Sequence, residues 1–230
     1  MIICNSKNYI YIHIPKCGGS TVGRLLHPRQ MAQDISLAYS MQSRWAGLIQ
    51  CYSENFNLKK HSRVKEICRA IGGESFLKKY RIISTCRNPY SRAYSAYTFT
   101  LSDDAKKRPE SKRHQDTKDM SFVEFLKSEY MDPSAGLQAA LQTSWFEGFT
   151  DSIDLYKLED FDLKAKELMH SLGYLDFQST QVAVVNQSAP RNEWLSMPDE
   201  AASIIKDRYS EDFKVLGYND NIEFYRAQAA

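Results

Sequence analysis

Residues 9–24, Tyr-Ile-Tyr-Ile-His-Ile-Pro-Lys-Cys-Gly-Gly-Ser-Thr-Val-Gly-Arg, narrow what this chain can fold into more than any other stretch. Ile10, Tyr11, Ile12 and Ile14 are apolar or β-branched and read as a buried strand. Pro15 ends it, because proline has no N–H for a ladder. Gly18 and Gly19 then turn the chain, and Ser20 and Thr21 open a helical run through Val22, Leu25 and Leu26. A strand, a glycine turn and a hydroxyl-rich helix start make a cradle for an anion. The first N–H groups of a helix have no partner inside it, and the helix dipole adds positive charge there. Glycines let a phosphate approach the backbone with no Cβ in the way, and Lys16 adds a full charge.

Two familiar nucleotide loops are excluded. A Walker A loop places its lysine after the last glycine, whereas Lys16 precedes both. No G-x-G-x-x-G follows the strand, so an NAD fingerprint is absent as well. A second strand-to-helix turn lies at residues 80–97, Tyr-Arg-Ile-Ile-Ser-Thr-Cys-Arg-Asn-Pro-Tyr-Ser-Arg-Ala-Tyr-Ser-Ala-Tyr. Ile82 and Ile83 mark the strand, Arg87 its end, and Pro89 suits a first helical turn. Arg92 and Ser95 are three residues apart, so one helix face can carry both. An arginine fork at a strand end with a helix hydroxyl is a second phosphate site in the making.

His-Ile-Pro-Lys-Cys-Gly-Gly-Ser-Thr resembles the 5′-phosphosulfate loop of sulfotransferases, and Arg-Asn-Pro-Tyr-Ser-Arg-Ala-Tyr-Ser-Ala-Tyr resembles their 3′-phosphate motif. The nearest group is the carbohydrate sulfotransferases of the heparan and chondroitin type, with their bacterial relatives. The resemblance implies a 3′-phosphoadenosine 5′-phosphosulfate (PAPS) donor, leaving as 3′-phosphoadenosine 5′-phosphate (PAP), and sulfuryl transfer to a hydroxyl or amine, the acceptor being a carbohydrate or another small hydroxyl compound. On that reading the backbone from Cys17 through Gly18, Gly19, Ser20 and Thr21 holds the 5′-phosphate, and Lys16 neutralises the bridging oxygen. Arg87 and Ser95 clamp the 3′-phosphate, with Arg191 within its reach. Related sequences show a His before a helix ahead of the 3′-phosphate strand, which makes His61 the first candidate for a general base, His114 the second and Glu54 a carboxylate alternative. No metal is required. Cys17 stands where the family usually has Thr, and Gln138 where it often has a His four residues before Gln142. Asn186 and Ser188 match a family loop that closes over the nucleotide, and Asp212-Phe213 with Gly217-Tyr218 matches its terminal element.

Strands alternating with helices predict an α/β fold, P-loop-like and three-layered, with a central, mainly parallel sheet flanked by helices. In such sheets ligands bind at the carboxyl ends of the strands, so Lys16 and Arg87 would open onto one crevice. The 230 residues suit a single domain, 1–230. A helix is expected around Ile35–Met41 and another over 61–71, with Ser62 as cap and Gly72-Gly73 as stop. Further helices are expected over 121–130, 135–149, 163–172 and 199–213, and a strand over Ile153–Leu158. The charged stretch 102–119 reads as a solvated loop or, functionally, as a lid over the acceptor. His13 reads as a packed, hydrogen-bonded strand residue.

A formal charge of +2 gives no argument for nucleic acid. The five cysteines, Cys4, Cys17, Cys51, Cys68 and Cys86, form no C-x-x-C pair, which favours a reducing compartment. There is no apolar run of about 18 residues and no signal-peptide pattern, so the expectation is a cytoplasmic chain with no membrane span. Oligomeric state is silent. Two rival readings are a P-loop nucleotide kinase and a nucleotide-binding sulfotransferase relative that has lost its chemistry.

Overall fold

The computed structural model describes residues 1–31, 33–37, 55–102, 112–134, 136–178 and 194–229. These fall into two compact units, Met1–Cys86 with Ser144–Asn186, and Arg87–Thr143 with Gln187–Ala230.

The first unit is built on a five-stranded sheet of order β3-β1-β2-β4-β5. The strands are β1 (Ile2–Cys4), β2 (Tyr9–Ile12), β3 (Ile35–Ser36), β4 (Arg81–Cys86) and β5 (Ile153–Lys157). β2 pairs β4 in parallel with Ile10 beside Ile82, and β4 pairs β5 in parallel with Ile83 beside Asp154. β1 is antiparallel to both neighbours, β2 and β3. The sheet is therefore mixed rather than mainly parallel, and its parallel half carries the strand-to-helix turns. The period-two alternation of the strands sends Ile2, Cys4, Tyr9, Tyr11 and Ile83 to one face. There they pack with Val22, Leu25 and Leu26 of α1 (Gly19–Leu26) and with Phe161, Ala165, Leu168 and Met169 of the helix Phe161–Ser171. Ile3, Ile10, Ile12 and Ile82, on the opposite face, are also buried, as expected for strands flanked by other structure on both sides.

The second unit is helical in its described residues. It contains Pro89–Thr100, Lys112–Thr117, Phe122–Lys127, Asp199–Arg208, Ser210–Leu216 and Ile222–Ala229. Tyr90, Ala93, Phe125, Leu126, Ile205 and Phe213 are among the residues that form its core. Arg208 donates to the carbonyls of Leu126 (2.7 Å) and Met131 (2.9 Å), tying the end of one helix to the turn after another. No helix among the described residues is long and apolar enough to cross a membrane.

Several expectations change. Ile35 and Ser36 form an edge strand on β1 rather than opening a helix, and positions 38–41 lie outside the described residues. The helix after His61 runs Val64–Ala70. Its first turn is closed by the Glu66 carboxylate, which accepts the Arg63 N–H at 2.9 Å, while the Ser62 hydroxyl accepts the Lys59 N–H instead. The expected helix over 135–149 is not one: residues 136–149 are turns and bends around a 3₁₀ segment at Gln142–Trp145, and position 135 lies outside the described residues. The long helix over 199–213 breaks at Tyr209, whose backbone leaves the helical region at φ −110° and ψ 25°. Lys112–Thr117, within the charged stretch, is helical, while 103–111 lie outside the described residues.

Candidate functional site

In the first unit, residues 13–18 join β2 to α1, with two left-handed residues, Lys16 (φ 66°) and Gly18 (φ 74°), curling the chain tightly. Gly18 is the N-cap and, having no side chain, does not cap the helix itself; the first turn holds no acidic residue. Positive φ is uncommon outside glycine, so a lysine held there marks a backbone fixed by its surroundings. The fixing groups come from the neighbouring strand. Thr85 of β4 donates its hydroxyl to the Cys17 carbonyl at 2.6 Å, and Ser84 donates to the Ile12 carbonyl at 2.8 Å. Cys17 itself is buried, its thiol turned to the Pro15 carbonyl at 3.6 Å, so the residue fills a small internal slot.

Gly18 is required by its left-handed backbone as well as by space, Gly19 by space alone. A Cβ on Gly19 would lie 2.0 Å from Nε2 of His13, and one on Gly18 would lie 2.3 Å from a methyl carbon of Leu158. His13 is 4% exposed, so its ring has nowhere to swing. Gly19→Ala is therefore expected to destabilise the protein by about 1–3 kcal/mol, the usual cost of overpacking. A urea midpoint equal to wild type would show that the ring gives way.

His61 sits against the same loop. Its Nδ1 lies 2.8 Å from the carbonyl oxygen of His13, and its ring meets the His13 ring edge-on at 4.6 Å between centroids. Its own carbonyl accepts the indole N–H of the buried Trp145 at 3.0 Å. A carbonyl can only accept, so neutral His61 carries its proton on Nδ1 and leaves a lone pair on Nε2. Among the described residues no hydrogen bond reaches that Nε2. Burial, aided by the Lys60 ammonium, lowers the His61 pKa to about 4. Burial also takes His13 well below its ordinary range, and its Nδ1 has no hydrogen-bond partner, so it is packed but not bonded there.

These two histidines set a pH window. Both stay neutral in the fold while titrating near 6.5 in the unfolded chain. The unfolded state then binds more protons, and stability is lost as pH falls. The loss begins near 6.5, and the His61 part is complete near about 4. Each histidine is expected to remove roughly 1.4 kcal/mol per pH unit inside the window. Urea unfolding of wild type and His61→Gln at pH 7.5 and 5 checks this, since the variant should lose less between the two; equal losses would exclude it.

The second unit begins at Arg87, directly after β4, and continues with Asn88, whose side chain accepts the Tyr90 N–H at 2.9 Å and caps Pro89–Thr100. Arg92 is buried and donates to the carbonyls of Ala140 (2.9 Å) and Leu137 (3.5 Å), so it ties down the 137–140 turn. Ser95 is buried on the same helix. The Arg87 backbone is held at both ends by one side chain. Its N–H donates to Oε1 of Gln142 at 2.9 Å, and its carbonyl accepts from Nε2 of Gln142 at 2.8 Å. The Gln142 and Thr143 N–H groups donate in turn to the two carboxylate oxygens of Asp212, at 2.8 and 3.0 Å. His114 lies on Lys112–Thr117 with Nδ1 3.0 Å from the Thr100 carbonyl oxygen. Gln138 is partly buried. Arg191, Glu54, Asn186 and Ser188 lie outside the described residues.

The first unit thus contains Lys16, Cys17, Gly18, Gly19, Ser20, Thr21 and His61, the last held to the His13 carbonyl ahead of the glycines, and the second contains Arg87, Ser95 and His114. Sequence reasoning missed His13 against Gly19 and Trp145 behind His61; the only local signal was a glycine where a helix start would accept alanine. No curated protein and no solved structure matches the chain. A sulfotransferase family model matches residues 1–219, nearly all of the 230. With a match of that span over a strand-to-helix loop of this shape, the chain belongs to the sulfotransferase family.

Proposed function

We propose that the chain is an enzyme that moves a sulfuryl group from PAPS to a hydroxyl or amine of an acceptor, with a carbohydrate or glycoconjugate as the acceptor class. The observation that carries the reading is the family match lying over the left-handed Lys16–Gly18 loop that starts α1. The left-handed turn at Lys16–Gly18 supports an anion at the helix start, where the N-cap is a glycine with no side chain of its own. PAPS supplies an activated sulfuryl group on a phosphate leaving group. The backbone at Gly18–Thr21 orients the 5′-phosphate, and Lys16 meets the negative charge that gathers on the bridging oxygen as its bond to sulfur breaks. Arg87, with Ser95, pairs with the 3′-phosphate as a fork. His61 takes the acceptor proton on Nε2 as the new bond to sulfur forms, leaving sulfated acceptor, PAP and a protonated imidazole that returns its proton to water. Cys17, buried, contributes its backbone rather than its thiol.

Calorimetric titration with PAP, then an acceptor screen with PAPS, tests this. PAP is expected to bind and at least one carbohydrate to accept sulfate. Magnesium-dependent ATP binding without PAP binding would overturn it in favour of a kinase. The Gln at position 138 favours one second reading, a relative that binds the donor without turning it over. PAP binding with no turnover on a broad panel would select it.

A further inference from the structure

Gln142 and Asp212 lie in the second unit and are both fully buried. Burying a carboxylate is costly unless its charge is met by hydrogen bonds. Asp212 uses one oxygen on each of two consecutive amides, those of Gln142 and Thr143, at the start of a 3₁₀ turn. That fixes the Gln142 backbone. The Gln142 side chain then closes a two-bond ring with both backbone groups of Arg87. The first residue beyond β4 has left the ladder, so its N–H and carbonyl would otherwise have to find partners elsewhere. A primary amide offers a donor and an acceptor side by side without carrying a charge. The direction in which an arginine side chain leaves the backbone follows from the φ and ψ of its own residue, and this pairing sets them from outside.

We propose that Gln142, anchored by Asp212, is a positioning residue that aims Arg87 at the 3′-phosphate and so sets the preference for a 3′-phosphorylated nucleotide. The proposal rests on the PAPS reading above. It assigns to the pair a selectivity role, distinct from holding the fold together.

The test compares the affinities of PAP and adenosine 5′-phosphate, which differ by the 3′-phosphate alone. Wild type is expected to prefer PAP by about tenfold or more, the scale of a charge-assisted pair. Arg87→Ala is expected to erase that preference. Gln142→Met, of similar volume and without the amide, is expected to reduce it by about threefold or more while leaving adenosine 5′-phosphate affinity within about twofold of wild type. A wild type with no preference defeats the PAPS reading itself. A wild type with the preference, and a Gln142→Met that keeps it in full, defeats this proposal alone. Should Gln142→Met not fold, Gln142→Leu serves: it offers neither an acceptor for the Arg87 N–H nor a donor for the Arg87 carbonyl, and the same fall is expected. Failure of both variants to fold would make Gln142 a structural residue and overturn the proposal.

Discussion

His61→Ala is expected to lower turnover by about 10²- to 10⁴-fold, the range of a positioned general base, with PAP affinity close to wild type. Three features of the residue lead there. Its Nδ1 is committed to the His13 carbonyl and its own carbonyl to Trp145, so both ring and backbone are held. The tautomer this enforces leaves Nε2 as the acceptor. Its pKa near 4 keeps the ring unprotonated throughout the neutral range. A low basicity weakens a base, but on the proposed reading a donor carrying several negative charges would pull the value back up once bound. The acid limb of kcat is thus expected at higher pH than that of kcat/KM, because the first reports the donor-bound enzyme and the second the free one. Turnover retained in His61→Ala, with PAP binding intact, would move the role to His114.

What could be read from the sequence was the chemistry with a local cause. Pro15 stops a strand and Gly18 turns the chain whatever lies elsewhere, and Asn88-Pro89 caps and starts a helix by itself. The Ile153–Lys157 strand and the Phe161–Ser171 helix were likewise visible in their own residues. What could not be read depends on distant partners. The strand Ile2–Cys4 is three residues long, too short for any periodicity, and exists because Tyr9–Ile12 lies beside it. Leu137, Leu141, Trp145 and Phe149 recur every four residues and suggest a helix. Yet Leu137 is half exposed, and the amides of Gln142 and Thr143 are claimed by Asp212, about seventy positions away in the chain. Tyr209 interrupts a run that its neighbours would continue, with no glycine or proline to announce it. The candidate site divides in the same way. The Lys16–Gly18 loop is local, whereas the hold on His61 joins residues 48 and 84 positions apart.

Lys16→Ala is expected to lower kcat by about a hundredfold, roughly 3 kcal/mol of transition-state stabilisation. The substitution is a clean one for backbone reasons. Lys16 already sits at φ 66°, where alanine is strained to the same degree as lysine, so the folded backbone carries the same strain and only the ammonium and its stem are removed. Lys16→Gly relieves that strain and should stabilise the fold relative to Lys16→Ala while remaining equally slow, which separates loop geometry from charge. The decisive readout is how the loss divides. Were Lys16 only an attractor for an anion, it would bind ground state and transition state alike, and its removal would weaken PAP affinity and raise KM with kcat preserved. Were it aimed at the bridging oxygen, the charge it meets is small in the bound donor and large as the bond to sulfur breaks, so kcat falls much further than PAP affinity. Lys16→Arg adds a third point, because a planar fork cannot occupy the place of a compact ammonium on a tightly curled loop. It should recover PAP affinity more fully than it recovers kcat, and recovery of both to wild type would reduce Lys16 to a source of charge with no assigned position.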